Sequence, residues 1–175
     1  MAAVADKLGK ARALKEQGNE ALKAGEYTRA MQHYHQCLLY AKGMDNSAMS
    51  TIVPNTEPVT PEVAQEIKAL IPVVYSNMAL CQIKAKKFER AVWAAGEAIK
   101  VDDKAVKALF RRGQAYFELK ELDLAEADFK KCVEIDPKDP GPPRELHRIR
   151  QRHKELEAKS REELKGMFAR GGLTA

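Results

Sequence analysis

The stretch that most constrains the fold is residues 106–137, VKALFRRGQAYFELKELDLAEADFKKCVEIDP. Its apolar and small residues recur at helical spacing in two groups, which predicts two short amphipathic helices joined by a tight turn. Gly113 has no side chain, so a partner helix can approach it closely, and Ala125 is the small residue expected at a helix crossing. Pro137 ends the unit, because proline cannot continue a helix interior. The pattern consists of Leu109, Phe110, Gly113, Ala115, Tyr116 and Leu119, then Leu124, Ala125, Ala127, Phe129, Val133 and Ile135.

The same pattern returns twice upstream. Residues 72–105 repeat it at a shift of 34 positions, with Ala79 in the place of Gly113. A further copy begins at residue 11 and contains Gly18 and Tyr34, and an insert of about 27 residues separates it from the next copy. Small and aromatic residues at a period of about 34 resemble the tetratricopeptide repeat, and three stacked repeats are the minimum that buries a continuous core.

This resemblance implies an all-α fold. We expect three helix-turn-helix repeats in a right-handed superhelix, followed by a long, charged C-terminal helix that caps the third repeat. The predicted repeat domain spans residues 4–137, with repeats near 11–43, 72–105 and 106–137 and a loop insert at 44–59, and the charged helix spans 143–169.

Prolines and one capping pattern predict interruptions in this plan. Pro72 falls inside the helix predicted from Thr60 to about residue 85 and should kink or split it. The sequence DPGPP at 139–143 predicts a stiff break before the C-terminal helix. Ser160 and Glu163 have the spacing of a capping box, which predicts that this last helix restarts there.

Composition and charge limit the class of protein. The 175 residues suffice for one domain, and 45% hydrophobic with 31% charged residues is typical of a folded helical protein. No apolar run approaches the ~20 residues of a membrane span, and the first ten residues lack the apolar core of a secretory signal. The three cysteines form no CxxC pair, so we interpret them as small core residues in a reducing, cytoplasmic compartment. A net charge of +5 favours acidic partners.

Five polar residues on the predicted first helices are the candidate site. In stacked helix pairs the first helix of each pair lines the concave side, so its polar residues face a shared groove. In the first and in the third repeat, two of these residues lie four positions apart, so each such pair projects from one face of its own helix. The five residues are Lys15 and Asn19 in the first repeat, Asn77 in the second, and Lys107 and Arg111 in the third.

These five places match the two-carboxylate clamp of co-chaperone tetratricopeptide domains. In that family the clamp binds the C-terminal tail, ending Glu-Glu-Val-Asp, of the Hsp90 and Hsp70 chaperones. The resemblance implies that Lys15, Asn19 and Asn77 hold the main-chain carboxylate. It also implies that Lys107 pairs with the aspartate side chain and that Arg111 reaches the backbone or an upstream acid. Cations and amide donors are the groups that bind carboxylates well.

A wider resemblance extends over about residues 8–168. The insert-lengthened first repeat and the trailing charged helix resemble the C-terminal domain of the large immunophilins. The Thr60-Pro61-Glu62 insert and the ending Lys165-Gly166-Met167-Phe168 are similar to the stand-alone tetratricopeptide repeat protein nine family. The sequence leaves open which branch applies and whether Hsp90 or Hsp70 is preferred.

Other kinds of function have little support in the sequence. We find no phosphate-binding loop, no HExxH and no cysteine–histidine cluster at metal spacing, so we expect no enzyme, no cofactor and no metal. His33 and His35 are predicted to be solvated.

One alternative function is that of a scaffold that binds another partner through its convex face or the 44–59 loop. Another is a C-terminal helix that binds calmodulin or an anionic membrane, although its acids dilute the basic face. We expect no binding of nucleic acid, and we expect the protein to be a monomer.

Overall fold

The computed structural model describes residues 2–43 and 59–171, and these form seven α-helices and no strand. The predicted loop at 44–59 lies outside the described residues except for Val59. The helices are α1 (Ala2–Lys23), α2 (Tyr27–Lys42), α3 (Pro61–Lys84), α4 (Phe88–Val101), α5 (Val106–Glu118), α6 (Leu122–Ile135) and α7 (Gly141–Gly171).

The helices pack as three pairs in series. α1 packs on α2, α3 on α4 and α5 on α6, while α2 also contacts α3 and α4 contacts α5. The first helices touch one another as well, α1 against α3 and α3 against α5, so they form one continuous wall. The all-α fold of stacked helix pairs is confirmed.

A small residue opposite an aromatic ring sets the distance within two of the pairs. A Cβ atom added to Gly18 would lie 2.5 Å from a ring carbon of Tyr34, and one added to Gly113 would lie 2.9 Å from a ring carbon of Phe129. The corresponding residues of the second pair are Ala79 and Ala95, both fully buried. Ala95 occupies the position that an aromatic ring has in the other two pairs, so the second pair has room for the methyl group of Ala79, which glycine lacks.

The first half of α7 covers the end of the third pair, as expected. Ile149 is fully buried in a cluster with Leu122 and Phe129. The guanidinium carbon of Arg148 lies 4.8 Å from the centre of the Phe117 ring, a cation–π contact. The division of the chain into a repeat domain ending at 137 and a separate helix stays a prediction.

Of the three predicted interruptions, only the break before the C-terminal helix is present in the structure. α3 runs through Pro72 without splitting, because the buried residues around it, including Ile71 and Val74, hold the helix despite the lost hydrogen bond. The break lies at residues 136–140, and it ends earlier than predicted because α7 already begins at Gly141. The two prolines of α7 fall in its first turn, where a helix has no hydrogen bond to lose. α7 also continues through Ser160, so the predicted restart is wrong.

The predicted inner face of α6 is also partly wrong. Leu124 is 50% exposed and Ala127 is exposed, whereas Leu122 is buried with Ala125 and Phe129. Leu122, Ala125 and Phe129 are spaced by three and four residues, which places them on one helix face. The observed face therefore shares Ala125 and Phe129 with the predicted one, and Leu122 belongs to it in place of Leu124 and Ala127.

The turn within each pair contains one residue in the left-handed conformation. These residues are Gly25, Lys86 and Lys120, with φ of 79°, 56° and 65°. Each lies seven positions after the small residue of its first helix. Glycine adopts this conformation without strain, but lysine does not.

We therefore expect Lys86→Gly and Lys120→Gly to stabilise the protein. A side chain in the left-handed conformation costs about 1–2 kcal/mol, although glycine also adds entropy to the unfolded chain. A net gain of about 0.5 kcal/mol at each site would raise the melting temperature by about 1–2 °C. Thermal unfolding checks this, with Lys87→Gly, at φ −102°, as the control that should not stabilise. Lower melting temperatures for both variants would contradict the strain argument.

Candidate functional site

A groove of about 990 Å³ lies along the wall of first helices. It is lined by α1, α3, the start of α5 and the segment that joins α4 to α5. Its floor is largely apolar, with Leu22, Pro72 and Val73, and polar groups surround it. Three of the five predicted site residues, Asn19, Asn77 and Lys107, line this groove.

A chain of hydrogen bonds joins three of the predicted residues. The Asn77 amide nitrogen donates to Asn19 Oδ1 over 2.8 Å, and Arg111 donates to Asn77 Oδ1 over 3.0 Å. Arg111 also donates to the hydroxyl of Ser76 over 2.7 Å, and the hydroxyl of Tyr34 donates to Asn19 Oδ1 over 2.8 Å. The amide oxygens of both asparagines are therefore occupied from within the protein.

Lys15 and Asn19 together hold a carboxylate in this structure. The Glu16 side chain accepts from Lys15 Nζ over 2.8 Å and from the Asn19 amide nitrogen over 3.1 Å. The hydrogen bond from Lys15, followed by that from Asn19, holds the pKa of Glu16 below its usual range. The two donors thus have the spacing that one carboxylate group requires.

Lys107 is exposed on the groove wall, one turn before Arg111. Asp102 and Asp103 line the groove beside it, and Lys23 and Lys68 add two further positive charges. The residues that line the groove are therefore cationic along α1 and α3, and the two acids that line it, Asp102 and Asp103, lie in the α4–α5 connection.

Arg111 is less exposed than the sequence predicts for a groove residue. It is half-buried, and burial lowers the pKa of its guanidinium from the usual range. Its contacts with Ser76 and Asn77 show that it also holds α5 against α3. Arg112, omitted from the predicted site, instead makes two hydrogen bonds of 2.8 and 2.7 Å to Asp128 of α6.

Several residues around the site were missed from the sequence. Lys23 follows Asn19 by four residues, so helical spacing alone could have indicated it. Tyr34 could have been found because its position in the repeat faces Gly18. No sequence signal distinguishes Ser76, which is buried beside Asn77, or Lys68, which precedes the repeat pattern.

The histidines differ in part from the prediction. His35 is exposed, but His33 is half-buried, and its Nδ1 has no hydrogen-bond partner among the described residues. His153 of α7 faces Asp123 and Glu126 of α6, and one ligand atom from each of the three residues lies within 4.8 Å of the others. Glu126 also pairs with Lys130 at 2.8 Å, and exposed acids of this kind do not by themselves define a metal site.

The family comparisons agree with the fold. Residues 106–139 match the family model of the tetratricopeptide repeat. The chain is 28% identical over 166 residues to the mouse peptidyl-prolyl cis-trans isomerase FKBP4, covering 95% of this chain and 34% of that protein. It is 31% identical over 165 residues to the Arabidopsis thaliana isomerase FKBP42, covering 94% of this chain and 42% of that protein. The chain therefore spans well under half the length of these relatives.

A solved structure with a bound peptide is also similar. It is the first tetratricopeptide-repeat domain of Spaghetti (RPAP3) bound to the HSP90 peptide SRMEEVD. The two chains are 27% identical, with a TM-score of 0.65, and the match covers 83% of this chain and 94% of the other.

The stacked helix pairs, the groove along their first helices and the repeat match define a class. Residues 106–139 match a tetratricopeptide repeat, and the stacked helix pairs have the fold of a tetratricopeptide-repeat domain. Within that class the chain is similar to a region of the FKBP4 and FKBP42 proteins. Within residues 2–43 and 59–171, no helix is both long enough and apolar enough to cross a membrane.

Proposed function

We propose that the protein is an adaptor that binds the acidic C-terminal tail of Hsp90 or Hsp70 chaperones in the groove of the first helices. The observation that carries this proposal is the carboxylate of Glu16 held between Lys15 and Asn19. An incoming chain end would displace Glu16 and take over the same donors. A carboxylate from outside the chain has the same hydrogen-bonding requirements as the Glu16 side chain.

The remaining site residues fit a second carboxylate. Asn77 adjoins Asn19, and Lys107 on α5 lines the same groove. A terminal aspartate would then place its main-chain carboxylate at Lys15 and its side chain at Lys107. Arg111 lies behind Asn77 and contributes positive charge to the site. Lys23 and Lys68 increase the attraction for a tail with further acids.

Two of the comparisons support this assignment. The similar domain of Spaghetti (RPAP3) is bound to a peptide that ends in Glu-Glu-Val-Asp. The similarity to the two isomerases covers only 34% and 42% of their lengths. We infer that this region acts as an adaptor, in the cytoplasm where these chaperones are found.

A titration with the free-acid peptide SRMEEVD, and in parallel with an Hsp70 tail peptide, tests the proposal. We expect saturable binding at one site for at least one peptide. Because the groove is open to solvent, raising the salt from about 50 to 500 mM should weaken binding severalfold. A peptide of the same composition with its acids moved to the N-terminus is the control. Equal binding of both peptides would show that the order of residues at the chain end is not recognised.

The second candidate function is that of a scaffold that binds a partner protein through α7. The distal half of α7 leaves Leu156, Leu164, Met167 and Phe168 between 46% and 78% exposed. Such a row of apolar side chains on a helix can bind a partner. A partner bound in this way would remain bound after the charge of Lys107 is reversed, which separates the two candidates.

A further inference from the structure

The ring of Tyr34 and its hydroxyl group have separate roles. The side chain is fully buried, and the ring packs against Gly18. Phe129 packs against Gly113 in the same manner in the third pair, so this packing does not require a hydroxyl. The second pair has Ala95 at the corresponding position. Among the three pairs, a hydroxyl group occurs here only in the one that carries Asn19.

The Tyr34 hydroxyl is one of two donors to a single oxygen. It donates to Asn19 Oδ1 over 2.8 Å, and the Asn77 amide donates to the same oxygen over 2.8 Å. Two donors on Oδ1 direct the amide nitrogen of Asn19 the other way, toward the carboxylate of Glu16 at 3.1 Å. An asparagine side chain can rotate to exchange its oxygen and nitrogen, and the partners of the oxygen decide which orientation persists.

We propose that Tyr34 is a positioning residue of the groove, whose hydroxyl keeps the Asn19 amide turned so that its NH₂ group faces the ligand carboxylate. This inference rests on the proposed function for its ligand, but the orientation of Asn19 can be measured without one. Burial raises the pKa of Tyr34 to about 12, so the hydroxyl remains protonated and can donate at neutral pH.

The same network explains why the groove favours an anion. Arg111 donates to Asn77, Asn77 donates to Asn19, and Tyr34 donates to Asn19 from the other side. Both amide oxygens are occupied within the protein, so Asn19 presents a donor to the groove. Without the hydroxyl, the Asn77 amide is the one remaining donor described for Oδ1, so Asn19 turns its oxygen more readily toward the ligand carboxylate, where the two would repel each other.

The test is Tyr34→Phe, which keeps the ring against Gly18 and removes only the hydroxyl. We expect the affinity for SRMEEVD to fall about three- to tenfold, the effect of one net hydrogen bond. Tyr116→Phe is the matched control, because it deletes one hydroxyl from a half-buried tyrosine of the third pair. It should bind the peptide as wild type does.

The NMR signals of the Asn19 side-chain amide provide the readout that a purely structural role would not change. In Tyr34→Phe without peptide, we expect these signals to shift and broaden as the amide samples both orientations, while the melting temperature stays within about 3 °C of wild type. Unchanged Asn19 signals would overturn the inference, whether or not the peptide binds. Wild-type affinity in Tyr34→Phe would overturn it as well. If wild-type protein binds no tail peptide but the Asn19 signals change, the proposed function fails and the positioning role remains.

Discussion

Lys107→Glu is expected to abolish binding of the tail peptide while the protein stays folded. Lys107 is exposed, so its replacement should change the free energy of unfolding by only about 0.5 kcal/mol. Reversing its charge turns an attraction for the aspartate side chain into a repulsion. Loss of one charged partner in such a site costs about 2–5 kcal/mol of binding free energy, or roughly 30-fold or more in affinity.

Lys130→Glu provides the matched control for this variant. Lys130 lies on α6, away from the groove, and carries the same charge on a side chain that is 62% exposed. Isothermal titration of both variants with SRMEEVD should show normal affinity for Lys130→Glu and no measurable binding for Lys107→Glu. If Lys107→Glu binds the peptide with an affinity within twofold of wild type, Lys107 is not part of the binding site.

Arg111→Ala should also lose binding, but it is a less selective variant. Ser76 is 4% exposed and accepts a hydrogen bond from Arg111, so the substitution deprives a buried hydroxyl of its donor. Such a loss costs about 1–3 kcal/mol of stability. A loss of binding in Arg111→Ala therefore has to be read together with its stability.

Gly113→Leu is the substitution with the largest expected effect on stability. A Cβ at this position would lie 2.9–3.2 Å from three atoms of the Phe129 ring, and Phe129 is fully buried. The ring cannot move aside without disturbing Phe110, whose ring centre lies 5.4 Å away. We expect a loss of about 3 kcal/mol or more, which corresponds to a fall of roughly 6–12 °C in melting temperature. Binding should weaken too, because Arg111 lies on the same helix.

Gly96→Leu and a double variant are the controls for Gly113→Leu. A Cβ at Gly96 of α4 meets nothing within 4 Å, so leucine there should be neutral or stabilising, since it favours the helix. Gly113→Ala should lower the free energy of unfolding less in a protein that already carries Phe129→Ala, because the two alanines then reproduce Ala79 and Ala95 of the second repeat. An unchanged melting temperature for Gly113→Leu would contradict the close contact and the register of the third repeat.

Small residues at a fixed period allowed the helix pairs to be predicted from the sequence. Gly18, Ala79 and Gly113 mark the place where the second helix of each pair approaches. Opposite the rings of Tyr34 and Phe129 only glycine fits without a shift, because an added Cβ would lie 2.5 and 2.9 Å from a ring carbon. The site candidates followed from the same register, since equivalent positions on first helices line one wall. The structure joins Asn19, Asn77 and Arg111 by hydrogen bonds and places Lys107 on the groove wall.

Features that depend on packing between helices could not be predicted. Proline at 72 disfavours a helix locally, but the buried residues of α3 on either side of it outweigh the lost hydrogen bond. The Ser160 pattern is capable of capping a helix, yet α7 continues because nothing ends the helix before that point. The burial of Arg111 and the roles of Ser76 and Tyr34 arise from contacts between different repeats, which local spacing does not contain.

The most direct test of the central claim compares the free-acid peptide SRMEEVD with the same peptide amidated at its C-terminus. Amidation removes the main-chain carboxylate and leaves the aspartate side chain, so the donors Lys15 and Asn19 lose their ligand. We expect the amide to bind with about 2 kcal/mol less free energy, close to thirtyfold weaker than the free acid. If the two peptides bind equally well to the wild-type protein, the groove does not recognise chain ends and the proposed function is wrong.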